Sequence, residues 1–403
     1  MSSNFLVRYT ALFWSFVVFM PVGMNYLAFF ALAVCMSIQG DRMARWQRVR
    51  RHLLFWPLAI YLGWTAVVLA LQSALYAETA SNLWHGLRIV LTLTLALALT
   101  VEEASWALRS FAVAVVFSLL VIFAHKALGL PEFPVWRNLL HYAGNKSISN
   151  ALLFCVVAGS MLVIALSTTG RARLASMGVA LALLAVLVFV LPNRTALLAV
   201  LGALLAAAAH QWRQHKLKLL GFVVAVLLAG VALLATVPAV QAPLAQGVGE
   251  IRRAAAGEAS MGSWNIRSQM IRYTTEMIAQ RPWMGWGIGG WNDQWRKRVP
   301  PLLADLNMPH NDLLWMGAQA GVPGALCWLA IMLAACYVGW RRQDLTGRLA
   351  FVAALTLTFS ALVNSATRDA VIGLSLLWIV GLYLRLASDA GFTFSLPERK
   401  QSR

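Results

Sequence analysis

The chain has 403 residues, of which 60% are hydrophobic and only 12% charged, and its mean hydropathy is +0.70. A soluble globular domain carries about 25% charged residues, so this composition excludes one and indicates a polytopic membrane protein. The net charge of +18 does not argue for a nucleic-acid partner, because membrane proteins collect basic residues in cytoplasmic loops for topological reasons.

A spanning helix needs about 20 mainly apolar residues. Taken in order, the apolar runs fall at 9–20, 22–38, 53–71, 83–100, 107–128, 148–168, 172–191, 195–210, 217–240, 313–340, 349–365 and 370–386. The fold class is therefore an all-α polytopic integral membrane protein of about twelve transmembrane helices. The first run has no small-residue cleavage site after it and flows into the second, so the N-terminus reads as a retained membrane hairpin. Between runs two and three lies Asp41–Arg51, holding Arg42, Arg45, Arg48, Arg50 and Arg51, which the positive-inside rule makes cytoplasmic. Arg171 and Arg173, Arg213, Lys216 and Lys218, Arg341, Arg342 and Arg348, and the tail Arg399, Lys400 and Arg403 fall on the same side if both termini are cytoplasmic. Val101–Ser110, with Glu102 and Glu103, reads as a loop. Cys35, Cys155, Cys327 and Cys336 lie in apolar runs without metal-ligand spacing and read as packing residues.

The complementary segments face outward, and one of them is long. This divides the chain into a helical block over 1–240, a large periplasmic loop over 241–312, and a last helical block with a cytoplasmic tail over 313–403. Gln241–Ser260 is small, polar and weakly periodic, which predicts a mobile segment. From Ser263 to Gln280, Trp264, Ile266, Met270, Ile271, Met277 and Ile278 recur at helical spacing until Arg281-Pro282, predicting an amphipathic helix over the outer mouth of the bundle.

Charges at membrane depth are the informative residues, since an arginine at a helix centre costs roughly 2.5–3.5 kcal/mol on insertion scales and needs a partner or a wet cavity. Arg194, in Leu191-Pro192-Asn193-Arg194-Thr195, is either a snorkelling side chain or a fixed cation aimed at an anion. Arg88, one turn from His85, has the same two readings. The outer loop carries an excess of arginine against the topological bias, and phosphate is the natural ligand for a guanidinium fork. Arg267 and Arg272 are five residues apart on the amphipathic helix and point in different directions, with Arg267 preferred for the site. Arg296-Lys297-Arg298 reads as a solvated surface. Gly285-Trp286-Gly287-Ile288-Gly289-Gly290 matches GxGxxG formally, but it follows a helix rather than a strand and serves as a tight backbone passage. Trp283, Trp286, Trp291 and Trp295 fit an interfacial belt or stacking on sugar rings.

His310 is the only histidine in the large loop, immediately before an apolar run. A helix N-terminus disfavours the imidazolium, so the ring stays neutral and able to accept a proton, as a general base requires. No paired carboxylates are visible on the outer face to hold a divalent cation, which favours a reaction without metal or cofactor.

At these residues the sequence resembles the O-antigen ligase family. The family pattern is His, then Asn, Ser or Gln, nine residues, Gly, two residues, then Gly, Thr or Tyr. Here it reads His310-Asn311, nine residues, Gly321, Val322-Pro323, Gly324. The large outer loop and the roughly twelve-span layout fit as well. Polymerases of the same superfamily are expected to carry an Arg, ten residues, Gly signature, and no outer-loop arginine here has glycine at that spacing. Protein-glycosylating ligases share the surroundings of the motif and often have a longer C-terminal region.

The resemblance implies transfer of a glycan from undecaprenyl diphosphate to a sugar hydroxyl of lipid A-core at the periplasmic face of the bacterial inner membrane. His310 would deprotonate the acceptor, and Arg194, Arg267, Arg88 and Arg272 are the candidates for holding the diphosphate. Asn311, Gly321 and Gly324 would support the motif. The partners are the lipid-linked glycan, lipid A-core and membrane lipids, with no nucleic acid. A transporter or flippase for a lipid-linked anion is the competing class, but it would be expected to show paired discontinuous spans and internal repeats, and no convincing repeat is visible.

Overall fold

The computed structural model describes residues 5–140, 144–191, 194–212, 214–236, 241, 245, 247–250, 252 and 263–394. Among them every regular element is helical. The helices are α1 (Phe5–Val17), α2 (Val22–Ile38), α3 (Arg42–Arg51), α4 (Phe55–Leu71), α5 (Thr79–Ala98), α6 (Val101–Leu128), α7 (Gly144–Ser167), α8 (Gly170–Phe189), α9 (Arg194–Gln211), α10 (Lys216–Thr236), α11 (Ser263–Gln280), α12 (Gly290–Arg298), α13 (Asp312–Trp340), α14 (Leu345–Asn364) and α15 (Ala370–Ala387). Short 3₁₀ turns lie at Arg137–Leu140 and Pro301–Leu303.

Six of these, α6, α7, α8, α13, α14 and α15, are long and apolar enough to cross a membrane, and a seventh span results if the bent pair α2 and α3 counts as one. Helices α1, α4 and most of α9 are apolar but shorter. The multi-pass character expected from composition is therefore present. The count of twelve is not reached by length and composition alone, partly because the first half of α5 carries Ser81, Asn82, His85 and Arg88 instead of an unbroken apolar run. Most of Gln241–Ser260, the segment expected to be mobile, lies outside the described residues.

One element differs from the sequence reading, and a second takes a form that reading left open. Val101–Ser110 is not a loop. Thr100 accepts from Glu103 N while the Glu103 carboxylate accepts from Thr100 N, a capping box that starts α6 at Val101. Glu103 is also fully committed to Arg45, whose Nη1 and Nη2 lie 2.8 Å from its two oxygens. Asp41–Arg51 is largely helix α3, bent 112° from α2. Its Arg45 and Val49 are buried, and Arg48 donates to Ala98 O at 2.9 and 3.1 Å, capping the end of α5. Arg385 Nε caps Leu99 O at 2.6 Å, and Arg342 donates to Ala387 O at 3.1 Å. These bonds gather the ends of α5 and α15 and the starts of α6 and α14 at one basic end of the bundle.

Helix α15 runs through the middle, buried along its length from Ile372 to Ala387. It packs on α5, α6, α7 and α14. Trp378 stacks on Trp14 at 4.1 Å and donates its indole N–H to Ser15 Oγ at 2.8 Å, fixing α1 against it. At the end of the bundle opposite the basic cluster stand α11, α12, the start of α13 and the turn between α14 and α15.

Candidate functional site

Helix α13 presents the His310 motif, and its local structure follows from the residue types. Asn311 is the N-cap, its side chain accepting from Leu314 N at 2.9 Å. His310 precedes it with φ 52, a left-handed conformation that histidine tolerates better than most residues. Eleven residues after His310 the helix bends at Gly321, where φ is 70 and ψ is −177. Its cause is a second chain segment pressed against the helix. A Cβ on Gly321 would stand 2.2 Å from Trp283 O, and Val322 N donates to Pro282 O at 2.7 Å. The bend frees carbonyls that new donors take up: Trp286 N to Ala318 O at 2.8 Å, Gly287 N to Gln319 O at 3.0 Å and Trp64 Nε1 to Ala320 O at 2.8 Å. The glycine-rich turn is thus a backbone clamp on the kink, and Gly285, at φ 64, has room for no side chain beside Gln319. A Cβ on Gly324 would meet that of Ala320 at 2.4 Å.

Behind the motif lies the turn Ser365–Asp369. Asp312 is fully buried, and its Oδ2 accepts from Thr367 N at 2.8 Å and Thr367 Oγ1 at 2.5 Å. Asp369 caps α15 by accepting from Val371 N and Ile372 N at 2.8 and 2.9 Å. Between these anchors Arg368 is 6% exposed, its guanidinium 5.4 Å from the ring centroid of Trp315. Burial pulls the Arg368 pKa down to about 10, opposed by the carboxylates of Asp312 and Asp369, so it stays cationic at neutral pH.

His310 is half-buried beside the side-chain amide of Asn364. Burial is the main cause that lowers its pKa to about 4, followed by the nearby Arg267 cation, with Arg368 adding to the effect and Asn364 and Asp369 opposing it. Burial and the two arginines thus favour the neutral ring, rather than the helix N-terminus that the sequence reading invoked. Around it, His310 Nδ1, Asn364 Nδ2, Arg368 Nε and Trp315 Nε1 are buried with no hydrogen-bond partner among the described residues. Such a concentration of unsatisfied groups is what a polar ligand would complete.

The other expected site residues are distributed differently. Arg267 is half-buried and its charge acts on His310, whereas Arg272 is exposed and paired with Glu276 at 3.0 Å. The divergence of the two arginines on α11 follows from their five-residue spacing. Arg88 is fully buried. It donates to Tyr26 Oη at 3.0 Å, to Thr367 O at 3.4 Å and to Arg368 O, so it buttresses the turn that carries Arg368. Arg194 opens α9, and its side chain lies outside the described residues. Of the four tryptophans read as a belt or sugar platform, Trp291 and Trp295 are fully buried and stacked on each other at 5.1 Å. Being four residues apart on α12, they share one face and serve as its core. Trp286 is flanked by Arg281 and Arg298 at 4.2 and 4.9 Å, and Trp283 alone of the four is widely exposed. Arg296 and Lys297 are exposed and paired with Glu78 and Asp293.

Sequence reasoning missed Arg368, Asp312 and Asn364. A charged pair in a five-residue turn between two apolar runs, Arg368-Asp369, is the same kind of signal that singled out Arg194. Among the described residues, no group of three or more His, Cys, Asp or Glu side chains is placed to hold a metal ion.

Residues 179–329 match the family model described as O-antigen ligase. No curated protein matches the chain. The matched stretch runs from α8 into α13 and includes Arg194, Arg267, His310, Gly321 and Gly324, while Arg88, Asn364 and Arg368 come from outside it. The match supports assignment to the O-antigen ligase family.

Proposed function

We propose that this O-antigen ligase family protein is an inverting glycosyltransferase that moves O-antigen glycan from undecaprenyl diphosphate to a lipid A-core sugar hydroxyl, with the site facing the periplasm. The feature that carries this reading is a half-buried His310 whose pKa is lowered by burial and by the nearby cations Arg267 and Arg368.

In the reaction, the acceptor hydroxyl loses its proton to His310 as its oxygen attacks the anomeric carbon of the donor. The bond from that carbon to the diphosphate oxygen breaks on the opposite face, so configuration inverts and undecaprenyl diphosphate departs with the electron pair. Arg267 and Arg368 offset the charge that develops on it, with Arg194 at the start of α9 as a third ligand, and this stabilisation together with positioning lowers the barrier without a metal. Arg88 acts through Arg368. Because burial removes competing water, each cation acts more strongly on the diphosphate than it would at an exposed surface.

The test is glycan transfer in detergent between purified lipid-linked donor and lipid A-core, where transport has no meaning. Wild-type protein is expected to form the ligated product, with activity retained in excess chelator. His310→Ala is expected to insert normally and form none. Full activity of His310→Ala removes the general-base role, and rescue of a chelated enzyme by Mg²⁺ overturns the metal-free reaction.

A further inference from the structure

At the basic end of the bundle α6 and α7 flank a gap, and the 3₁₀ turn at Arg137–Leu140 contacts both helices at the opposite end. The gap between them is a cavity of about 340 Å³, lined by Leu108 and Ala112 of α6, Met161 and Ile164 of α7, Leu349 of α14 and Tyr383 of α15. This volume is within the about 300–1,000 Å³ usual for small-molecule sites.

Its interior is apolar in effect. The Tyr383 and Ser160 hydroxyls lie 3.3 Å apart, and Ser160 Oγ also donates to Val156 O at 2.7 Å, so neither hydroxyl calls for a polar ligand. The bundle end of the cavity is closed by Phe392 and Phe394, whose rings meet edge to face at 5.0 Å. That segment is pinned, since Arg342 donates to Phe392 O at 2.7 Å and Phe394 N donates to Thr346 Oγ1 at 2.9 Å. The cavity is thus preformed, and along the same helix Val113 and Val116 face outward, 59% and 57% exposed.

A cation stands at its mouth. Arg109 lines the cavity, is exposed, and stacks 4.8 Å from the Trp106 ring. It has no salt bridge among the described residues, while Glu102 at the start of α6 is bonded to Arg8 at 3.1 Å. Arg42, Arg50 and Arg51 are exposed on α3 at this same end. A long apolar slot, an interfacial tryptophan and an unpaired guanidinium at the arginine-rich end together match one ligand chemistry: a hydrocarbon chain attached to a phosphate.

We propose that this cleft holds one acyl chain of an anionic glycerophospholipid whose phosphate lies on Arg109. The site is at the other end of the bundle from His310, so binding and glycan transfer are separable.

The experiment takes the full chain from nanodiscs of mixed phosphatidylglycerol and phosphatidylcholine and identifies retained lipid by native mass spectrometry. Wild-type protein is expected to retain phosphatidylglycerol about fivefold above its share of the bilayer, as one basic residue at an anionic surface provides. Arg109→Gln is expected to bind one lipid with the preference reduced to near the bilayer ratio. Ala112→Phe, which fills the mouth, and Met161→Trp, which fills the wall, are each expected to lower retention of both lipids while the helical circular dichroism is unchanged. Two insertions from different helices keep the test valid if one fails to fold. Retention at the bilayer ratio by wild-type protein overturns the proposal. So does phosphatidylglycerol binding that survives both insertions, or an isoprenoid phosphate retained in place of the phospholipid.

Discussion

Thr367 donates its backbone N–H and its hydroxyl to the same oxygen of Asp312, at 2.8 and 2.5 Å. Fifty-five residues apart in the chain, they lock the first turn of α13 to the turn joining α14 and α15, and so set His310 and Arg368 in one frame. Asp312→Ala leaves both donors unsatisfied in a buried place, which costs about 1–3 kcal/mol. The expected result is a lower melting temperature and a loss of transfer larger than that of Asp312→Asn, which retains one acceptor. Equal melting and activity of both variants with wild type would show that the clamp is dispensable.

The low pKa of His310 fixes the form of the pH profile. With a folded pKa of about 4 against an ordinary value near 6.5, the folded state binds fewer protons than the unfolded state between those values. Stability from this group is therefore complete above about pH 6.5 and is lost as pH falls toward 4. Transfer is expected to be insensitive to this group from pH 8 to about 5, and to decline below as the ring gains a proton. A limb near pH 6.5 in the wild-type transfer profile would contradict the buried setting beside two arginines.

The two arginines of α11 separate the site from the surface. Arg272 is exposed and its ion pair with Glu276 is of the kind worth about 0.2–1 kcal/mol. Arg272→Ala is expected to keep transfer within about twofold of wild type, and Arg267→Ala to lose about a hundredfold or more, as removing one transition-state donor does. Rates that fall equally in both variants would mean that α11 acts through its fold and not through Arg267.

A guanidinium forks two phosphate oxygens where an ammonium cannot. Arg368→Lys and Arg194→Lys are each expected to raise the donor KM and lower kcat by at least about tenfold, read with a purified lipid-linked donor. Wild-type kinetics in Arg194→Lys would favour a snorkelling side chain at the start of α9.

Gly321 has φ 70 and no space for a Cβ against Trp283 O. Gly321→Ala must move the clamp segment or straighten α13, so a lower melting temperature and loss of inserted protein are expected. A variant that melts like wild type would remove the kink from the list of structural requirements.

Hydropathy alone determined the helical, multi-pass class, and helical spacing placed α11 from Ser263 to Gln280 as the periodicity of Trp264, Ile266, Met270 and Met277 predicts. These features depend on neighbours within a few turns, which a linear sequence displays. The capping box at Thr100 is also local, yet the charges of Glu102 and Glu103 give the first turns of α6 the look of a loop. What the tertiary structure alone decided is which distant groups share a neighbourhood. Arg88 stands free in the sequence but is consumed by the carbonyls of Thr367 and Arg368, and Trp291 and Trp295 are core instead of belt. Arg368 owes its setting to Asp312, whose charge acts on it, and to Trp315, whose ring lies 5.4 Å away. A charge is assigned its role by the burial and partners around it, and those come from segments that the sequence sets far apart.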